Sequence, residues 1–67
     1  MDHSEKIIAD AITTNNNRIS KLLACKNARE RREKAKNLVI AECAAQKLRL
    51  TADQIIRVAV HVVNCVA

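Results

Sequence analysis

Hydrophobic and polar residues follow one another along this chain with a spacing that predicts α-helices. In the last quarter, polar residues recur at steps of four, four and three, at Asp53, Arg57, His61 and Asn64. On a helix these residues form one polar stripe and leave the opposite side apolar. The β-branched residues of this segment also alternate as in a strand, but a strand would mix Arg57 and His61 with Val63 on one face. The pattern therefore predicts a helix over residues 52–66.

Three helix starts are indicated by short polar residues that are each followed, three positions later, by Glu or Gln. Such a pair satisfies backbone N–H groups that the first helical turn leaves free. The pairs are Asp2 with Glu5, Asn27 with Glu30, and Thr51 with Gln54.

The first half of the chain allows two arrangements. Its apolar residues share one helical stripe only if a helix runs unbroken through TTNNN at 13–17. Asn and Thr, however, have low helix propensity, and five such residues in a row favour a turn. One arrangement has helices over 3–25 and 28–48, and the other has helices over 4–13 and 17–48. We favour the first, because the early stripe is out of phase with a later one formed by Leu38, Ala41, Ala45 and Leu48.

The expected fold is all-α: a single helical domain over residues 1–67, with three helices. Two longer helices form a hairpin, and a short amphipathic helix follows. A chain of 67 residues buries little surface by itself, so we expect a homodimer in which the apolar stripes of the first and last helices complete the core. The predicted core and interface residues are Ile8, Ile12, Ile19, Leu22, Leu38, Ile55, Val58 and Val62.

Composition narrows the class of protein. The chain has no Gly, no Pro and no aromatic residue, so it lacks the glycine loops that hold nucleotide phosphates. Its three cysteines are an odd number without the spacing of a disulfide framework, which indicates reduced thiols. No apolar run approaches the length of a membrane span. We expect a soluble, cytoplasmic protein that does not contact membranes.

Positive charge is concentrated in the middle of the chain. Eight Lys or Arg residues lie between Arg18 and Lys36, against Glu30 and Glu33 alone. A helix here could present a ridge to the phosphates of duplex DNA, formed by Arg29, Arg31, Arg32, Lys34 and Lys36. The same charges are also spaced for intrahelical ion pairs worth roughly 0.2–0.5 kcal/mol each, and both interpretations remain open.

The stretch NARERRE, at 27–33, resembles the basic region of basic helix-loop-helix transcription factors. The resemblance implies a major-groove helix in which Glu30 reads a base and Arg31 and Arg32 hold phosphates. It covers only these residues, however, because the family is basic where this chain has apolar residues at 19–23, and the connection near residues 49–50 is far shorter than the family's loop. We therefore do not assign the chain to this family.

Candidate reactive residues are few. His61 and Cys65 are four apart and could supply two metal ligands, but two ligands do not make a site, and Cys as a small packing residue is the better interpretation. No carboxylate pair has the arrangement of a catalytic site. We expect no enzyme, metal, cofactor or small-molecule substrate. The expected function is that of a regulatory or adaptor protein that self-associates and binds another protein, with duplex DNA binding as the alternative.

Overall fold

The computed structural model describes residues 1–66 and shows four α-helices within them. They are α1 (His3–Thr13), α2 (Asn16–Leu23), α3 (Ala28–Gln46) and α4 (Ala52–Val66). The all-α prediction is confirmed, as is the last helix over 52–66, but the predicted count of three helices is wrong. Within the described residues, none of the helices combines the length and the apolar character needed to cross a membrane.

A fourth helix arises because both of the alternative turns are present. The side chain of Asn15 accepts hydrogen bonds from the backbone N–H groups of Asn17 and Arg18, at 3.1 and 3.2 Å, and so begins α2. Asn27 does the same for α3 by accepting from the N–H of Glu30 at 2.9 Å. The helix predicted over 3–25 is therefore broken at Asn15, and the alternative helix over 17–48 is broken at Asn27, because Asn at each break caps a new helix instead of extending the old one. The helix predicted over 28–48 is present as α3, which ends two residues earlier, at Gln46.

The predicted helix starts at the two ends of the chain are confirmed. Asp2 and Glu5 form a reciprocal capping box, with N–H to carboxylate distances of 2.9 and 3.1 Å. Thr51 and Gln54 form the same arrangement at the start of α4. At α3 the side chain of Glu30 reaches one residue further back and accepts from the N–H of Lys26 at 3.1 Å. These contacts orient the first turn of three of the four helices.

The end of α3 carries an unusual backbone conformation. Lys47 has φ 57° and ψ 34°, which is the left-handed helical region, and it is the only non-glycine residue with positive φ among residues 1–66. The N–H of Leu48 bonds to the carbonyl of Cys43 at 2.9 Å, and that of Lys47 bonds to the carbonyl of Ala44 at 3.3 Å. This is the Schellman arrangement, which satisfies the last carbonyls of a helix and usually has Gly at the left-handed position.

The core is closed within one chain. Ile8 and Ile12 of α1 and Val58 and Val62 of α4 are fully buried, and α1 and α4 contact each other extensively. The apolar stripes of α1 and α4, which we expected to form a dimer interface, thus pack against each other within the chain. The extra turns let α1 fold back onto α4, and the homodimer itself stays a prediction.

Burial of the predicted core residues follows the same packing. Ile8, Ile12, Leu22, Val58 and Val62 are fully buried, while Ile19, Leu38 and Ile55 are half-buried. On α3 the buried apolar residues are Ala35, Val39 and Cys43. The stripe predicted through Leu38 is therefore displaced by one residue, and its members Ala41 and Ala45 are exposed.

Candidate protein-interaction surface

The five cations predicted to contact DNA all lie in the first half of α3 but do not form one surface. Successive residues of an α-helix are about 100° apart, so Arg29, Arg32 and Lys36 share one side and Lys34 extends from nearly the opposite side. Arg29, Arg32 and Lys34 are exposed, whereas Lys36 is half-buried with its Nζ 3.8 Å from Oε2 of Glu33. Of the five predicted cations, only Arg29, Arg32 and Lys36 therefore share one side of the helix.

Arg31 has a structural contact instead of a free head group. Its Nε donates a hydrogen bond to the backbone carbonyl of Leu22, 3.1 Å away, and the residue is half-buried. Carbonyls in the last turn of a helix have no partner within that helix. The carbonyl of Leu22 also accepts from the N–H of Cys25, at 3.2 Å, so Arg31 adds a second hydrogen bond at the end of α2 and holds α2 against α3.

Arg18 also has a structural contact and does not contribute a free cation to the surface. It forms an ion pair with Glu42 of α3, and Nε2 of Gln46 donates to the other carboxylate oxygen of Glu42 at 3.0 Å. The hydrogen bonds from Gln46 and Arg18, together with the charge of Arg18, outweigh partial burial and hold the pKa of Glu42 below its usual range. This group joins α2 to α3.

A second polar group joins α1 to α4. Glu5 is completely buried, and its Oε1 lies 3.3 Å from Nη1 of Arg57. Nε2 of Gln54 donates to Oδ2 of Asp2 at 2.9 Å. Buried carboxylates in a small core need such partners. Both buried acids among residues 1–66 therefore join one helix to another.

An open groove remains between α3, α4 and the segment that connects them. Its lining residues are Ile40, Cys43, Ala44, Lys47, Leu48, Arg49, Leu50 and Ile55. Ile40 is 51% exposed, although it is a large aliphatic residue in the middle of a helix. On α4, Ile55 lines the groove, and its neighbour Ile56 is 46% exposed.

One side of α3 connects this groove with the remaining basic residues. Arg32, Lys36 and Ile40 follow one another at steps of four, and such residues lie on the same side of an α-helix. This side therefore changes from cationic to apolar along the helix axis, and Lys47, directly after the last residue of α3, adds a cation at the groove. We call this side of α3, with the groove beside it, the α3–α4 surface.

Two of the cysteines differ in their surroundings within residues 1–66. Burial, and secondarily the nearby charge of Glu42, raises the pKa of the Cys43 thiol at the floor of the groove, so it stays protonated. Sγ of Cys65 lies 3.5 Å from Nε2 of His61 at an exposed position. No group of three or more potential metal ligands occurs within residues 1–66.

No known protein family, curated protein or solved structure matches this chain. The residues that resemble a basic helix-loop-helix region also have local partners here. Asn27 and Glu30 cap α3, and Arg31 binds the end of α2. The helix that carries them begins at Ala28, so it does not extend upstream as a continuous basic helix.

Sequence reasoning located the basic residues but missed the groove. The available signal was Ile40, which belongs to neither apolar stripe and yet is a large aliphatic residue. Leu48 and Leu50, on either side of Arg49 in a short connection, were a second signal. Only the packing of α3 against α4 shows that these residues meet.

Proposed function

We propose that this chain is a non-enzymatic regulatory or adaptor protein that acts by binding another protein through the α3–α4 surface. The observation that carries the proposal is the exposed Ile40, which lies in a groove lined mainly by apolar residues and bordered by Lys47 and Arg49. Apolar surface left exposed in a concave site with a polar rim is typical of protein-interaction sites.

The use of the polar residues supports binding over catalysis. Glu5 and Glu42 each have partners that join helices, and Cys43 is held as a thiol. A general acid or a nucleophile needs a free, positioned group within reach of a substrate. These three groups are instead engaged in maintaining the fold, and the activity that we propose is surface recognition.

A photo-crosslinking experiment tests this function. Ile40→p-benzoylphenylalanine places the probe in the groove, and Ala45→p-benzoylphenylalanine is the matched control on an exposed position of α3 that faces away from it. Irradiation of cells that express each variant should give a defined protein adduct from position 40 and none from position 45. Equal labelling at both positions, or no protein adduct at position 40, would contradict the proposal.

The second candidate function is binding of duplex DNA. The observation in its favour is that Arg29, Arg32 and Lys36 share one side of α3, which could follow a phosphate backbone. In that case Arg29→Glu with Arg32→Glu should abolish retention on duplex DNA and leave helix content unchanged. Lys34→Glu, on nearly the opposite side of the helix, is the control and should retain binding. Titration into labelled duplex at low and at physiological salt decides between the two functions.

A further inference from the structure

The lining of the groove carries charge of one sign. Lys47 and Arg49 border it and are exposed, and no carboxylate is among its lining residues in the described chain. Lys36 lies one turn before Ile40 on the same side of α3 and adds a further cation. A partner that fits this surface has an apolar centre flanked by negative charges, because opposite charges at the rim speed association and exclude wrong partners.

Resting on the proposed protein-binding role, we propose that the α3–α4 surface binds an acidic amphipathic helix of a partner protein. The groove runs beside the C-terminal part of α3 and the segment that leads into α4, and amphipathic helices that bind in apolar grooves insert apolar residues spaced three or four apart. From Lys36 to Lys47 the surface is ~16 Å long at the rise of an α-helix. A partner helix of about three turns, with Asp or Glu beside an apolar stripe, matches this length.

A second copy of the same chain is a poorer occupant. A two-fold dimer through this surface sets equivalent patches against each other, so Lys47 and Arg49 would approach cations of the partner copy. Like charges brought together at an interface oppose binding. The apolar stripes of α1 and α4, which could have offered another contact, are buried within the chain.

The conformation of Lys47 supports a role for its charge. It occupies the left-handed region with φ 57°, where Gly would be free of steric strain and a residue with a Cβ is not. The Schellman end of α3 accounts for the conformation itself, but it favours Gly at this position and does not account for a Lys. The strained position is also one of the two cations at the groove.

The test uses three labelled helical peptides and measures affinity by fluorescence anisotropy. Each peptide is stapled on its outer side, because short helices are marginal in water. The first has a Leu stripe flanked by Glu, the second has Lys in place of each Glu, and the third has the composition of the first with its Leu residues scattered. We expect the first to bind about tenfold more tightly than either of the others at physiological salt.

Charge-reversal variants show whether the groove is responsible. Lys47→Glu with Arg49→Glu should weaken binding of the acidic peptide about tenfold and strengthen binding of the basic one. Lys21→Glu with Lys26→Glu makes the same change in net charge at exposed positions outside the groove, and should change affinity by less than about twofold, since distant charges are screened at physiological salt. Ile40→Asp should abolish binding of the acidic peptide.

Several results would overturn the inference. An acidic peptide that binds no more tightly than the basic one, or that is weakened equally by both reversals, would show only general charge attraction. A dimer by light scattering that Ile40→Asp dissociates would assign the surface to a second copy. Displacement of the peptide by duplex DNA at physiological salt would assign it to nucleic acid.

The two proposals can fail separately. A protein crosslinked from position 40, combined with no preference for the acidic peptide, would overturn the inferred charge of the partner and leave the binding function standing. Selective binding of the acidic peptide without any protein adduct in cells would overturn the proposed function and support the preference of the groove for an acidic amphipathic helix.

Discussion

The fully buried carboxylate of Glu5 accepts a hydrogen bond from the guanidinium of Arg57 at 3.3 Å, across the contact between α1 and α4. The other oxygen of Glu5 accepts from the backbone N–H of Asp2. Although most of the Arg57 side chain is exposed, its guanidinium is the only side-chain cation paired with Glu5 within residues 1–66. The pair joins the first helix to the last.

Removing Arg57 should therefore destabilise the fold more than its exposure suggests. We expect Arg57→Ala to lower the free energy of unfolding by about 1–2 kcal/mol, because a buried acceptor loses its charged donor. Lys6→Ala, at an exposed position of α1, should change it by less than about 0.5 kcal/mol. Urea unfolding followed by circular dichroism measures both, and equal effects of the two substitutions would contradict this role of Arg57.

Stability should depend on pH through Glu42. Its pKa is lower in the folded chain than in the unfolded chain because of hydrogen bonds from Gln46 and Arg18. Its contribution is therefore complete above the unfolded pKa and disappears as the pH falls through the folded one. We expect Glu42→Gln to cost about 1–3 kcal/mol at pH 7, and the difference from the unmodified chain to shrink steadily as acid is added.

Thermal unfolding of the two proteins across the acid range checks this expectation. Glu33→Gln is the control, because Glu33 is exposed and its contact with Lys36 spans 3.8 Å, so it should change stability by less than about 1 kcal/mol at any pH. A stability difference for Glu42→Gln that is constant from neutral to strongly acidic pH would contradict the ion pair.

Arg31 and Arg32 are neighbours in the sequence but should respond differently to substitution. Arg31→Gln removes the hydrogen bond to the carbonyl of Leu22 and should lower the free energy of unfolding by about 1 kcal/mol. Arg32→Gln, at an exposed position, should be neutral within about 0.5 kcal/mol. Chemical denaturation distinguishes them, and a neutral Arg31→Gln would return Arg31 to the set of free surface cations.

Replacing the strained residue at the end of α3 should stabilise the chain. Lys47→Gly removes the Cβ that disfavours the left-handed conformation, and we expect a gain of about 1 kcal/mol. Lys47→Ala keeps the Cβ and is the matched control without such a gain. A rise in melting temperature for both substitutions would attribute the effect to the lost charge instead of the backbone.

The amino-acid sequence determines the local features of this protein. The capping box of Asp2 with Glu5, and that of Thr51 with Gln54, involve residues three apart, so their geometry depends little on the rest of the chain. The polar stripe of α4 was readable for the same reason, because one strongly amphipathic helix shows its buried side by period alone. Helical class and the extent of α4 follow from these signals.

The tertiary structure decides which side of α3 is buried and which residues meet across the fold. α3 is weakly amphipathic, with apolar residues on several sides, so its orientation depends on what packs against it; burial of Val39 in place of Leu38 shows this. The pair of Arg18 with Glu42 spans 24 positions and that of Glu5 with Arg57 spans 52. No local period encodes such contacts, because they form only when separate helices are brought together, and the α3–α4 surface arises in the same way.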